Sequence, residues 1–304
     1  MDDYTKNTKN WLDEKYKRYD ANGVYFAHQP IYGLRAGHSS DHPIVRYFNT
    51  YSIMRALSHI RFNTLLDVGG SEGYKAALAA NLFGIHVQNT DLSEEACKRA
   101  EEIFHIRSRP SDIHDLVFED GEFDVVLCSE TLEHTINPER AFNELLRVAR
   151  KAVVITVPHD NPKSVEANIS RGVPHGHIQS FNLDSFNYLK ARGYVIISRG
   201  ISSPLLLVPS FLAEAQETAI RKDGPFKLYN ASVPMLSKIF SHAIARSSAV
   251  ILTTVDRVTC KVLNTYGTCI FTIIKDKSCW SDNALKKITA QEVIDFREPY
   301  HHIH

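Results

Sequence analysis

From residue 64 onward the chain alternates short apolar runs with segments of helical spacing, and no other feature limits the possible folds as much. Thr64-Leu-Leu-Asp-Val68, His86-Val-Gln-Asn-Thr-Asp91, Phe123-Asp-Val-Val-Leu127 and Ala152-Val-Val-Ile-Thr-Val157 read as strands. Between them lie an Ala-rich helix over 74–82 closed by Gly84, and a helix capped by Ser93 with Glu94 and Glu95 in its first turn. Another starts at Asn137-Pro138 and runs to about residue 149. Residues 183–192 read as a helix ended by Gly193, before the strand Tyr194-Val-Ile-Ile197. Strands that are apolar along their length need cover on both faces, which crossover helices give to a mostly parallel sheet. The expected class is therefore α/β, doubly wound.

The flanks are less regular. Residues 1–45 contain no strand signal, but Tyr25-Phe-Ala-His-Gln-Pro-Ile-Tyr-Gly33 is too aromatic for a disordered tail and reads as an N-terminal lid segment. Pro43 opens a helix with Ile44, Tyr47, Phe48, Tyr51 and Met54 at helical spacing. Residues 46–200 form the expected core. Residues 201–265 form a mainly helical insertion or cap over the substrate pocket. Residues 266–304 supply the last strand, Thr268-Cys-Ile-Phe-Thr-Ile-Ile274, and a polar tail. Lys+Arg and Asp+Glu both number 35, which opposes binding nucleic acid mainly by neutralising phosphates. The five cysteines are scattered and never paired as C-x-x-C, so neither a disulfide framework nor a zinc ribbon is implied. The polar start lacks a signal-peptide core and no apolar run is long enough to span a bilayer, so the expected location is the cytoplasm.

The first strand leads into Asp67-Val-Gly-Gly-Ser-Glu-Gly73. A dinucleotide fingerprint beginning at Gly69 needs glycine at 71 and 74, where Ser71 and Tyr74 stand. The segment instead resembles the D-x-G-x-G-x-G motif of class I S-adenosylmethionine-dependent methyltransferases, with Asp67, Gly69, Ser71 and Gly73 in the four places. Ser71 replaces the middle glycine with another small residue. The resemblance runs over residues 64–200 and implies a Rossmann-like, seven-stranded sheet with S-adenosyl-L-methionine as cofactor. It further implies cofactor contacts at Gly70, at Asp91 and Leu92 (ribose), at Asp112 and Ile113 (adenine), and at Ser129 and Glu130 (methionine moiety). Taken singly, Asp91 reads as a helix-capping acid and Asp112 as a solvated loop acid. Their order at successive strand ends behind a glycine turn favours the nucleoside site.

A sulfonium methyl is already activated, so the protein must mainly align a nucleophile, and a hydroxyl nucleophile also needs a base or a metal. His134, His159, His175 and His177 follow the strands on the ligand side, and His134 and His177 are the expected catalytic residues. His28, His38 and His42 join them only if the N-terminal segment folds over the cleft. Glu130, Glu133 and His134 stand at i, i+3 and i+4, so one helical turn would aim all three at one point. With His177 they resemble the divalent-metal site of small-RNA 2′-O-methyltransferases and, more loosely, that of ubiquinone-pathway O-methyltransferases. Metal-free members of the superfamily carry a similar run that lines the cofactor, and no metal ligand is assigned.

The expected activity is methyl transfer to a small-molecule, glycan or lipid-linked acceptor, through a hydroxyl oxygen. The alternatives are a metal-dependent RNA 2′-O-methyltransferase and a non-catalytic, methyltransferase-like partner protein. The Ser203-Pro-Leu-Leu-Leu-Val-Pro209 run reads first as core packing and second as the wall of an apolar pocket.

Overall fold

The computed structural model describes residues 2–17, 43–204 and 242–296. Its centre is a seven-stranded sheet of β1 (Thr64–Val68), β2 (His86–Asp91), β3 (Ser108–Pro110), β4 (Phe123–Ser129), β5 (Ala149–Pro158), β6 (Val195–Ile201) and β7 (Thr268–Ile274). The strand order is β3-β2-β1-β4-β5-β7-β6, and β7 alone runs antiparallel, wedged between β5 and β6. The order reverses between β1 and β4, which opens a crevice at the carboxyl ends of those strands.

Successive side chains on each strand feed opposite faces. Leu65, Val125, Leu127, Val154 and Ile270 join one apolar cluster, where α2 (Pro43–Leu57), α3 (Tyr74–Phe83) and α8 (Ala290–Asp295) contribute Met54, Leu78 and Val293. Leu66, Val126, Val153, Ile155 and Phe271 join the other, closed by Phe142 and Leu145 of α5 (Pro138–Val148) and by Phe186. Ser93 caps α4 (Glu94–Phe104), and Asn137 caps α5 with Pro138 in its first turn.

Several sequence expectations are corrected. Residues 183–192 are turns ending in a short 3-10 helix over Asn187–Arg192, with Gly193 left-handed (φ 87°) at its end. The strand Ser108–Pro110 is too short, and carries a proline, to show as an apolar run. A helix that the apolar pattern hides, α6 (Pro162–Arg171), opens on an Asn161 cap. Residues after 275 are not an inert tail: the capping box of Thr289 and Glu292 starts α8, and Lys275 Nζ donates to the carbonyls of Leu146 and Ala149.

The N-terminus forms a helix, α1 (Asp3–Tyr16), that begins with the Asp2 carboxylate accepting from Thr5 N. Leu12 and Tyr16 pack on Ala96 of α4, and Asp13 accepts from Ser93 Oγ at 2.6 Å. The aromatic stretch 25–33 and His28, His38 and His42 lie outside the described residues. Of the 201–265 insertion, the described part is chiefly α7 (His242–Leu263), packed against β6 and α8. Among the described residues, no helix is long and apolar enough to cross a membrane.

Candidate active site

The turn after β1 is held to β2 by its backbone: Gly69 N and Gly70 N both donate to Thr90 O, at 2.8 and 3.2 Å. A Cβ at Gly69 (φ 68°) would stand 2.3 Å from Thr131 Oγ1, and one at Gly70 would stand 2.1 Å from Asn89 Oδ1. No side chain fits at either place, so the turn presents bare backbone. Ser71 is left-handed at φ 52°, and its N–H donates to Asp91 Oδ2 at 2.9 Å. Ser93 N donates to Asp91 Oδ1 at the same distance. Burial pushes the Asp91 carboxyl up to about 6, although both backbone donors pull it down. Each oxygen uses one of its lone pairs on the backbone and keeps acceptor capacity for a ligand.

A cavity of about 490 Å³ lies against this turn. Eleven of the expected site residues line it: Gly69, Gly70, Ser71, Asp91, Leu92, Asp112, Ile113, Ser129, Glu130, His134 and His177. Asp67 and Gly73 do not. Asp67 is fully buried behind the turn, where desolvation raises its carboxyl to about 7, and Gly73 is the left-handed residue before α3. Asp112 Oδ1 already accepts from His114 N at 3.0 Å and from His114 Nδ1 at 2.7 Å, which holds that carboxyl below its usual range.

At the other end, β4 stops at Ser129 and the chain turns sharply through Glu130 (φ 56°). The 3-10 turn Leu132–His134 starts only two residues later. Glu130 is therefore not on one helical turn with Glu133 and His134, contrary to the i, i+3, i+4 expectation. The Glu133 carbonyl accepts from Ile178 N and Gln179 N at 2.8 and 3.1 Å, which pins the 175–179 loop beside it. His134 Nδ1 donates to Gly176 O at 3.1 Å, and His177 Nδ1 donates to Asp160 Oδ2 at 2.5 Å. Both imidazoles thus keep the Nε2 lone pair free of these bonds. Ligand atoms of Glu133, His134 and His177 lie within 4.8 Å of one another, and neither Glu133 carboxylate oxygen has a hydrogen-bond partner. That donor set, with second-sphere partners fixing each imidazole, could hold a divalent cation.

Burial and the mutual repulsion of Glu130 and Glu133 raise the Glu133 carboxyl well above its usual range, and burial raises that of Glu130. Burial lowers His134 to about 4 and His175 to about 2, so both rings are neutral near pH 7. The Asp160 hydrogen bond moves His177 the other way, upward. His159 leaves the group, since its Nδ1 bonds Phe181 O at 2.7 Å and it is not part of the lining.

Sequence reasoning missed Asp160, although it stands immediately after His159. It also missed α1, whose Thr8, Leu12 and Tyr16 line the cavity and whose Trp11 ring stacks on His175 at 5.3 Å. His175 in turn stacks on His134 at 3.7 Å. The Thr5, Thr8, Leu12 and Tyr16 spacing was the available signal, but its polar members hide the buried face. Lys75 and Arg46 bring positive charge to the lining. Among the described residues of the 201–265 insertion, α7 lines none of the cavity, and residues 205–241 lie outside the described residues.

Residues 66–157 match the family model for a methyltransferase domain. Norajmaline N-methyltransferase from Rauvolfia serpentina is 30% identical over 107 residues, covering 32% of this chain and 37% of that protein. The chloroplastic tocopherol O-methyltransferase of Arabidopsis thaliana is 30% identical over 111 residues, covering 33% of this chain and 32% of that protein. The matches thus span about a third of each relative's length. In fold, the chain is similar to geranyl diphosphate C-methyltransferase from Streptomyces coelicolor A3(2), solved with Mg²⁺, geranyl diphosphate and S-adenosyl-L-homocysteine. That likeness has a TM-score of 0.52 at 16% identity and covers 90% of this chain and 97% of the other. The fold and the matched domain define a class I, Rossmann-like methyltransferase architecture. Residues 66–157 are thus similar to a methyltransferase domain, set within a chain that has the Rossmann-like methyltransferase fold.

Proposed function

We propose that this chain transfers the methyl group of S-adenosylmethionine to a hydroxyl oxygen of a small-molecule, glycan or lipid-linked acceptor. The observation that carries this reading is one cavity with a backbone-locked carboxylate, Asp91, at one end and a carboxylate-backed imidazole, His177, at the other. Bound along the glycine turn, the cofactor supplies an electrophilic methyl group. Asp91 accepts the ribose hydroxyls, Leu92 and Ile113 flank the base, and Ser129 and Glu130 meet the amino-acid end. His177 holds its Nδ1 proton on Asp160 and takes the acceptor's proton at Nε2, a role favoured by its raised proton affinity. His134 stays neutral and orients the acceptor through Nε2. Helix α1 acts as the lid that keeps water from the reacting atoms. Five free, buried cysteines suit a reducing, cytoplasmic setting.

A second reading places a divalent cation on Glu133, His134 and His177, favoured by the buried Glu133 carboxylate, which has no hydrogen-bond partner and stands 3.6 Å from His134 Nε2. Such an ion would supply Lewis-acid help to the acceptor oxygen. An RNA acceptor gains no support from the described lining, where Lys15, Arg46 and Lys75 face five carboxylates.

The test is calorimetric titration of chelator-treated protein with S-adenosylmethionine and S-adenosylhomocysteine, followed by methyl-transfer assays on paired hydroxyl and amine acceptors. Cofactor binding with turnover of hydroxyl acceptors only, undiminished by EDTA, supports the first reading. Turnover abolished by EDTA and restored by Mg²⁺, Mn²⁺ or Zn²⁺ supports the second. Failure to bind either cofactor form refutes both and leaves the non-catalytic partner protein.

A further inference from the structure

Three arginines meet at the β6 edge of the sheet with no acid left to pair with them. Arg199 stands on β6, and alternation along that strand puts it on the same face as Val195 and Ile201, which pack in the cluster closed by α2. Arg55 lies in the last turn of α2, at i+4 from Tyr51 and i+8 from Tyr47. Arg257 follows Asp256 on α7 and stands at i+4 from Thr253, whose Oγ1 is hydrogen-bonded to Tyr47 Oη at 3.0 Å.

Ser202, just past β6, ties the three elements together. Its Oγ donates to Asn49 Oδ1 of α2 at 3.1 Å, and its N–H donates to Asp256 Oδ2 of α7 at 3.1 Å. From Ser202 back to Arg199 is about 10 Å of strand, and from Asn49 on to Arg55 is about 9 Å of helix. The two paths run the same way, because α2 leads to the start of β1, and β6 is parallel to β1 and starts at the same end of the sheet. The two guanidiniums are thus brought level, with Arg257 beside them. Burial, then the charges of Arg55 and Arg257, lower the proton affinity of Arg199. The acid that faces it, Asp256, already accepts from the backbone at both oxygens, from Ser202 N and from Ser203 N at 2.6 Å. Arg199 Nε is buried without a hydrogen-bond partner, and among the described residues none of the three arginines forms an ion pair. A half-buried cation beside two others costs free energy through desolvation and repulsion, and a bound anion would remove that cost.

We propose that Arg55, Arg199 and Arg257 form a binding site for a phosphate dianion, carried by a phosphate monoester or a diphosphate. The site is separate from the cavity, since none of the three residues lines it. Charge and shape select the ligand class. Three guanidiniums and one carboxylate leave a net charge of two, which a phosphate dianion matches and a single carboxylate does not. The tetrahedral oxygens of a phosphate also accept from guanidiniums on several sides, whereas the two oxygens of a carboxylate lie in one plane.

The experiment uses the full chain at low ionic strength, with inorganic pyrophosphate as the probe in calorimetric titration and thermal melts. The wild type should bind it and melt at a temperature that rises with its concentration. Arg257→Gln, at an exposed position, should weaken binding roughly tenfold or more. Arg199→Met keeps the apolar stem and removes the charge. It should abolish the melting shift and leave the ligand-free protein at least as stable as the wild type, which an arginine serving the fold alone would not do. Lys75→Gln removes a cation of the cavity and should leave pyrophosphate affinity unchanged. Vesicles of phosphatidylcholine with phosphatidic acid offer the same chemistry on a surface. Arg257-dependent binding to vesicles alone assigns the site to a lipid headgroup, and Arg257-dependent binding of pyrophosphate assigns it to a free phosphate. Four results overturn the proposal: binding of neither probe, binding undiminished in both arginine variants, a ligand-free Arg199→Met protein that melts below the wild type, or loss of binding in Lys75→Gln, which would put the anion in the cavity.

Discussion

Replacing Asp91 by asparagine separates what this carboxylate does for the fold from what it does for a cofactor. In the free protein its carboxyl titrates at about 6 instead of 3.8, so keeping it ionised at neutral pH costs about 3 kcal/mol. Asparagine removes that cost. It also has one acceptor oxygen in place of two, so either Ser71 N or Ser93 N loses its partner, a penalty of about 1–3 kcal/mol. The two effects oppose, and the free variant should melt close to the wild type. Cofactor affinity has no such compensation. A ribose hydroxyl that loses an ionised acceptor forfeits about 1.5–3 kcal/mol, or roughly 10- to 150-fold in Kd. The raised value also fixes the pH dependence. Between about pH 4 and 6 the folded chain binds a proton that the unfolded chain has released, so Asp91 subtracts stability as pH rises through that window, and in full above it. Ribose hydroxyls favour the ionised form, so binding expels the proton, and wild-type affinity should be about tenfold weaker at pH 5 than at pH 7. Calorimetry with S-adenosylhomocysteine at several pH values, beside thermal melts, reads both effects. A folded Asp91→Asn protein with unchanged affinity and unchanged pH dependence would remove Asp91 from the ribose site.

Gly69→Ala places a Cβ 2.3 Å from Thr131 Oγ1 at a left-handed residue, and should destabilise the chain by about 2 kcal/mol or more in urea unfolding. Thr131→Gly should restore part of that loss, and no rescue would mean that the clash is not its source. Asp160→Asn should lower kcat roughly 10- to 100-fold and move the acidic limb of the rate profile to lower pH, with cofactor affinity intact. An unmoved limb would refute His177 as the base. The depressed His134 and His175, at about 4 and 2, make the unfolded chain the better proton binder below pH 6.5, so their contribution to stability falls as pH drops from there. A His134→Gln/His175→Gln variant should lose stability less steeply between pH 6.5 and 5, and an equal slope would contradict the buried neutral rings.

The glycine-turn end of the cavity, proposed above for the cofactor, is legible in sequence because it is made of local backbone geometry. The Gly69-Gly70-Ser71 turn, the Asp91 strand end and the Ser93 cap lie in one β-α-β unit, and their hydrogen bonds join residues at most 21 apart. A motif can encode such a unit. Even here, Asp67 and Gly73 prove to serve the turn from behind, since the motif does not distinguish a residue that lines the cavity from one that shapes its lining.

The imidazole end, proposed above for the acceptor, follows another rule. His134 meets Gly176 across 42 positions, Tyr4 meets the same carbonyl across 172, and Trp11 reaches His175 from a helix whose sequence is mostly polar. These contacts depend on how separate elements pack, and no periodicity records them. Glu130 shows the limit most directly: helical spacing joins it to Glu133 and His134, but its left-handed backbone removes it from their turn. Glu133 and His134 lie within the matched domain of residues 66–157, but further lining residues come from α1, α2 and the 175–179 loop, outside it. A shared domain can therefore fix the cofactor while leaving the acceptor free to differ, and the identity of the acceptor must be sought in those outer segments.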